Sequence, residues 1–94
     1  MSAQQLQLPG ALSADAWAGE LARALAAVPE VLAVAVLPGA LPCAYVLVPR
    51  GTPVVVHDKV SRAGVKADRA KPVGAVLRVG AHPPDGARVV WRRP

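Results

Sequence analysis

His57 and Asp58 are the one adjacent imidazole–carboxylate pair in the chain, and His82 is the only other imidazole. General-base catalysis needs such a pair aimed at a nucleophile or substrate within hydrogen-bond reach. Ser61 and Cys43 are the nucleophiles available on paper. Adjacent side chains on a strand point to opposite faces, so His57 and Asp58 form no dyad unless Asp58 lies in a turn. Two distant histidines with scattered aspartates do not have metal-ligand spacing. The single Cys43 excludes an intrachain disulfide and a multi-cysteine zinc site, and its apolar surroundings suit a buried, inert thiol. Gly74, Gly80 and Gly86 are too far apart for a phosphate-binding or dinucleotide loop. The expectation is a protein that is not an enzyme, with no catalytic, cofactor-binding or metal residues.

Charge is the more informative chemistry. The 94 residues carry a net charge of +5, unevenly placed. Residues 1–49 hold Arg23 against Asp15, Glu20 and Glu30, whereas residues 50–94 hold ten Lys and Arg against Asp58, Asp68 and Asp85. Arg62, Lys66, Arg69 and Lys71 form a basic stretch with Asp68 inside it. Such a surface can face phosphate, an acidic protein surface or water alone. Tyr45 and Trp91 are the only aromatics outside the first helical pattern, so platforms for stacking bases are scarce.

These residues must be positioned by a single small domain, which buries only about 60–65% of its unfolded surface. Apolar residues make up 53% of the chain, but they are chiefly Ala, Val and Leu, with no Phe. Small side chains fill a core poorly, which implies either a thin core finished by intersubunit contacts or a β-structure packed with valines. Residues 1–12 read as an N-terminal arm. Residues 13–48 read as a helix plus hairpin: Ser13 caps a helix bearing Trp17, Leu21, Ala24, Leu25 and Val28 on one face, Pro29 stops it, and strands 31–37 and 43–48 flank the loop Pro38-Gly39-Ala40-Leu41-Pro42. Residues 50–94 read as a β-rich basic half. Its strands are expected at 53–57, around Val60 and Val65, at 73–79 and at 89–91, with Pro83-Pro84-Asp85-Gly86 as a turn. Arg78, Arg88, Arg92 and Arg93 suit the last two strands to edge positions. The fold class is therefore α+β, ending in a barrel- or sandwich-like half. Residues 31–49 carry no charge, but Pro38-Gly39 and Pro42 would break a spanning helix, so no membrane is expected. With no Lys or Arg before Arg23, a secretory leader is not expected either.

Two resemblances add to this reading. The chain runs Gly51-Thr52-Pro53-Val54-Val55-Val56, then Val60-Ser61-Arg62-Ala63-Gly64-Val65-Lys66-Ala67-Asp68, then Pro72-Val73-Gly74-Ala75-Val76-Leu77, and closes with Asp85-Gly86-Ala87-Arg88-Val89-Val90-Trp91. That order of valine strands and glycine turns resembles the small decoration or cement proteins of tailed-phage capsids. The resemblance implies a β-rich, often trimeric unit on the outer lattice of a virion, clamping major capsid or other shell proteins without chemistry. The contact residues expected on that reading are Gln4, Gln5 and Gln7 of the arm with Arg50, Arg62, Arg69 and Trp91. Without a virion, the rival is an ordinary cytoplasmic domain that binds protein or nucleic acid. Separately, a helix followed by Val28-Pro29-Glu30-Val31 and a strand is reminiscent of the small C-terminal domain of adenylate-forming enzymes, although that domain's glycine–lysine catalytic motif is missing.

Overall fold

Trp17, Leu21 and Leu25 recur every fourth residue. In the computed structural model, which describes residues 14–39 and 41–94, they lie buried along one face of helix α1 (Ala14–Leu25). Asp15 in the first turn and Arg23 in the last complement the helix dipole. The arm 1–12, with Gln4, Gln5 and Gln7, and the cap Ser13 lie outside the described residues. After Leu25 the chain tightens through turns rather than continuing into Pro29: the Val28 amide donates to Leu25 and the Val31 amide to Val28.

The valine-rich runs form the expected hairpin. Strands β1 (Ala33–Leu37) and β2 (Cys43–Leu47) pair antiparallel, with Ala35 opposite Tyr45. Val34, Val36, Ala44 and Val46 point toward α1 and join its buried face, with Val31, Val48 and Val60, in one core. That core closes within a single chain, since its large members Trp17, Leu21, Leu25, Val34, Val36 and Val46 are almost fully buried without a second copy.

The second half departs from expectation. Residues 53–57 and the pieces around Val60 and Val65 are not strands: Val54–Gly64 is helix α2, and Val65–Ala70 continues it as a 3-10 helix. The strand reading rested on the β-preference of three consecutive valines, which is a weak, context-dependent signal. Period decides the outcome here. Val56, Val60, Gly64 and Ala67 fall at helical spacing and are buried, while most residues between them face out. Pro53 immediately precedes the first helical residue, where its missing amide costs nothing. Strand β3 (Val76–Gly80) then pairs parallel with β2, a connection that requires a crossover of a dozen or more residues, usually helical.

Strand β4 (Arg88–Arg92) pairs antiparallel with β1, giving the order β3-β2-β1-β4. The two arginine-bearing strands are indeed the edges, but the sheet is open and mixed rather than a barrel or sandwich. A bulge in β4 at Val90 lets both Val90 and Trp91 pack against the core. Two Pro-x-Gly turns serve the crossover: the Thr52 amide donates to Pro49 across Gly51, and the Ala75 amide to Pro72 across Gly74. Both glycines have a φ near +80°, as the third position of a type II turn demands. A third 4→1 turn, Pro84–Ala87, leads into β4.

Arg93 ties the two ends of this arrangement together. Its Nε donates to the Val31 carbonyl at 2.8 Å, and its Nη2 donates to Val28 at 2.9 Å and Ala26 at 3.3 Å. Its backbone amide donates to Leu32 at 2.8 Å, and its guanidinium stands 5.4 Å from the centre of the Trp91 ring. Arg92, its neighbour, is exposed and has no ion-pair partner among the described residues. Replacing Arg93 with Met therefore lowers unfolding free energy by about 1–3 kcal/mol, the range for charge-assisted hydrogen bonds to carbonyls. Arg92→Met changes it by less than about 0.5 kcal/mol, as surface substitutions do. Urea denaturation of the two variants measures the contrast.

Candidate functional site

Once α2 and the 3-10 helix bury Val56, Val60 and Ala67, their outward side is fixed by period. Val55, Lys59, Arg62, Lys66 and Arg69 follow at alternating steps of four and three, on one exposed stripe. Between residues 58 and 71 five cations stand against Asp58 and Asp68. Two of the cations are held by α1 and the turn after it: Lys59 lies 3.8 Å from Glu30 and Arg69 3.9 Å from Glu20. Arg62, Lys66 and Lys71 have no ion-pair partner among the described residues. Val54, Val55, Val65 and Val73 flank them, 73%, 60%, 62% and 99% exposed. Interface cores are built from apolar side chains within a charged rim, the combination these valines and cations offer.

The expected contact residues do not form one patch. Arg62 and Arg69 share the α2 stripe. Arg50 belongs to the turn after β2, where its Nη2 lies 2.9 Å from Nε2 of His82. Trp91 lies half-buried on edge strand β4, lining a shallow groove against α1 with Gly19, Ala22 and Ala26. Arg88, on the same strand, reaches Asp15 of α1 at 2.6 Å. Gln4, Gln5 and Gln7 are outside the described residues.

The candidate catalytic residues are placed differently from the sequence expectation. His57 does not sit on a strand. With Arg50 and His82 it lines a cavity of about 360 Å³ at the corner where β2 and β3 end and α2 begins, and Asp58 is not in its wall. Cys43 is half-buried, its Sγ 3.7 Å from the Ala44 carbonyl. Among the described residues, no three of His, Cys, Asp and Glu gather as a metal site would, and no helix is long and apolar enough to cross a membrane. Sequence reasoning missed the meeting of His57 with His82, because it depends on the parallel β2–α2–β3 crossover. The helical spacing of Val56, Val60 and Gly64 was the available signal.

Comparison with known proteins gives no match to a protein-family model, to a curated protein or to a solved structure.

Glu20 is the counter-charge that organises the α1 side of the stripe. Its carboxylate accepts from Arg23 at 2.7 Å, and that hydrogen bond, followed by the Arg23 charge, holds its pKa below the ordinary value. Partial desolvation opposes the shift, and the Arg69 charge adds a smaller lowering. A lowered folded-state pKa contributes stability that is present above the unfolded value and lost as pH falls through the folded one. In an NMR titration of the side-chain carboxyl, Arg23→Gln should raise the Glu20 midpoint more than Arg69→Gln does. Equal shifts would mean that Arg69, not the helix neighbour, controls this carboxylate.

Proposed function

We propose that this chain is a non-enzymatic docking module, a structural or assembly protein that binds an acidic surface of a larger protein through the outward face of α2 and the 3-10 helix. The observation that carries the reading is that Arg62, Lys66 and Lys71, without ion-pair partners among the described residues, alternate along residues 54–73 with the exposed valines Val54, Val55, Val65 and Val73. Charge complementarity sets orientation and encounter rate, and burial of the valines supplies the affinity that rim charges cannot. A shell protein of a virion is the partner implied by the decoration-protein resemblance, and self-association through the same valines belongs to the same reading. Two of the four segments behind that resemblance are now helical, so the surface chemistry supports docking more directly than the strand pattern does.

Nucleic acid is the rival occupant, and the same side chains weigh against it. Phosphates reward cations but gain nothing from exposed valines, and neither Tyr45 nor Trp91 lies on the stripe to stack a base. Co-expression with the products of neighbouring genes should recover a partner with the native chain and lose it with Arg62→Glu, Lys66→Glu and Lys71→Glu combined. A partner retained by that triple variant, or a nucleic-acid complex whose affinity falls steeply with salt, would remove the protein-docking reading.

A further inference from the structure

We propose that the corner cavity between β2, β3 and α2 is a binding site for the phosphoryl group of a small phosphate ester. Three separate segments build it: the turn Pro49–Thr52 after β2, His57 in the first turn of α2, and Gly80–His82 at the end of β3. The turn is rigid: the Thr52 amide and hydroxyl both donate to the Pro49 carbonyl, and the Val48 amide donates to Gly80 across the two strands. This scaffold brings Arg50, His57 and His82 to one space, and no carboxylate is among the lining residues. This open cleft, lined by one guanidinium and two imidazoles with no carboxylate, offers several hydrogen-bond donors to an anion.

The Arg50–His82 contact gives a second reason. A guanidinium has only donors, so His82 Nε2 must accept across the 2.9 Å separation and the ring carries its proton on Nδ1. A protonated His82 would repel Arg50 at that distance. An oxyanion entering the cleft displaces this contact, after which Arg50 and His82 can each donate to it. Arg50 has no ion-pair partner among the described residues: Nη2 is engaged with His82, and the remaining guanidinium donors are open to a ligand. Around Gly51 nothing lies within 4 Å of where a Cβ would sit, so a ligand can approach the backbone there. The location also follows from topology, because ligands of open α/β sheets bind beyond the carboxyl ends of parallel strands, and β2 and β3 are the parallel pair.

Phosphate fits better than carboxylate. A planar carboxylate is satisfied by the guanidinium fork alone, whereas a tetrahedral dianion has oxygens for the fork and for imidazoles on other walls. The volume, about 360 Å³, falls near the lower end of the range for small-molecule sites, roughly 300–1,000 Å³. It exceeds what a bare phosphate occupies and leaves room for a compact carbon skeleton. The site is independent of the docking stripe, and neither Arg62, Lys66 nor Lys71 lines it.

The experiment is an NMR titration of the full, isotope-labelled chain with ribose 5-phosphate, inorganic phosphate and acetate, each against sodium chloride at matched ionic strength. The amides of Gly51, Thr52, Gly80 and Ala81 and both imidazoles should shift saturably with ribose 5-phosphate, more weakly with phosphate and least with acetate. Arg50→Gln should weaken ribose 5-phosphate binding at least about tenfold, the cost of one charge-assisted hydrogen bond. His82→Gln should weaken it several-fold and Arg62→Gln should leave it unchanged. Arg50 and His82 are exposed side chains, so the rest of the spectrum reports whether each variant keeps its fold. Shifts no larger than with chloride overturn the proposal, as does retention of binding within twofold in Arg50→Gln. Acetate binding as tightly as the phosphates refutes the phosphoryl assignment, and equal affinity for the two phosphates refutes the ester. None of these results bears on the docking stripe, whose own test uses different residues.

Discussion

A helix that turns back onto the strand beneath it strands carbonyls at its end, and in this protein one arginine collects them. The seven residues between α1 and β1 turn the carbonyls of Ala26, Val28 and Val31 toward Arg93, which donates to all three with its side chain, sharing that of Val28 with the Val31 amide, while its own amide takes Leu32. The angle at which α1 lies across β1 depends on that junction, and so does the place of β4, whose last residue immediately precedes the arginine. Trp91 packs beneath the guanidinium and against the small residues Gly19, Ala22 and Ala26 of α1. A residue counted in the sequence among surface charges is thus a structural clamp reaching more than sixty residues back along the chain.

The remaining charges divide by the same logic. Lys59, Arg69 and Arg88 each lie close to a carboxylate of α1 or the turn that follows it and so join elements to one another, whereas Arg23 pairs with Glu20 within α1. Arg62, Lys66 and Lys71 are exposed and have no ion-pair partner among the described residues, and Arg50 finds an imidazole instead. Uneven charge along the sequence becomes, in the fold, a difference between cations that hold the domain and cations that face outward. Exposed pairs of this kind add little to stability individually, so the division matters more for what the surface can meet than for how firmly the chain folds.

Half of this arrangement can be read from the residues alone. Trp17, Leu21 and Leu25 announce α1 by their period, the Pro38-Gly39 loop announces the hairpin, and arginines among valines mark β3 and β4 as edges. Val54-Val55-Val56 misleads, because local β-preference there is outweighed by the burial of Val56, Val60 and Gly64 on a helix. That error conceals the crossover, and with it the corner at which His57 and His82 meet. The outward stripe was visible as a basic stretch, but the exposed valines that distinguish a protein partner from phosphate gain meaning only when α2 is helical. Trp91 is among the contact residues expected on the decoration-protein reading. Its position under Arg93 follows from a bulge in β4 that no local pattern signals.

The placement of β4 has a cost for the ensemble. Its pairing partner β1, Ala33-Val34-Ala35-Val36-Leu37, carries no charge, and Ala33 and Ala35 are as buried as the valines between them. With β4 in place this strand is interior and harmless. When β4 opens, a flat, uncharged row of amides and carbonyls is laid bare, of the kind that templates pairing with another molecule. The opening frees only the segment after β3, residues 81–94, because β3 stays paired with β2. Arg88 and Arg92 are therefore gatekeepers as well as strand residues, and a β4 donated by one copy to the β1 of another is the misassembly to which this topology is most exposed.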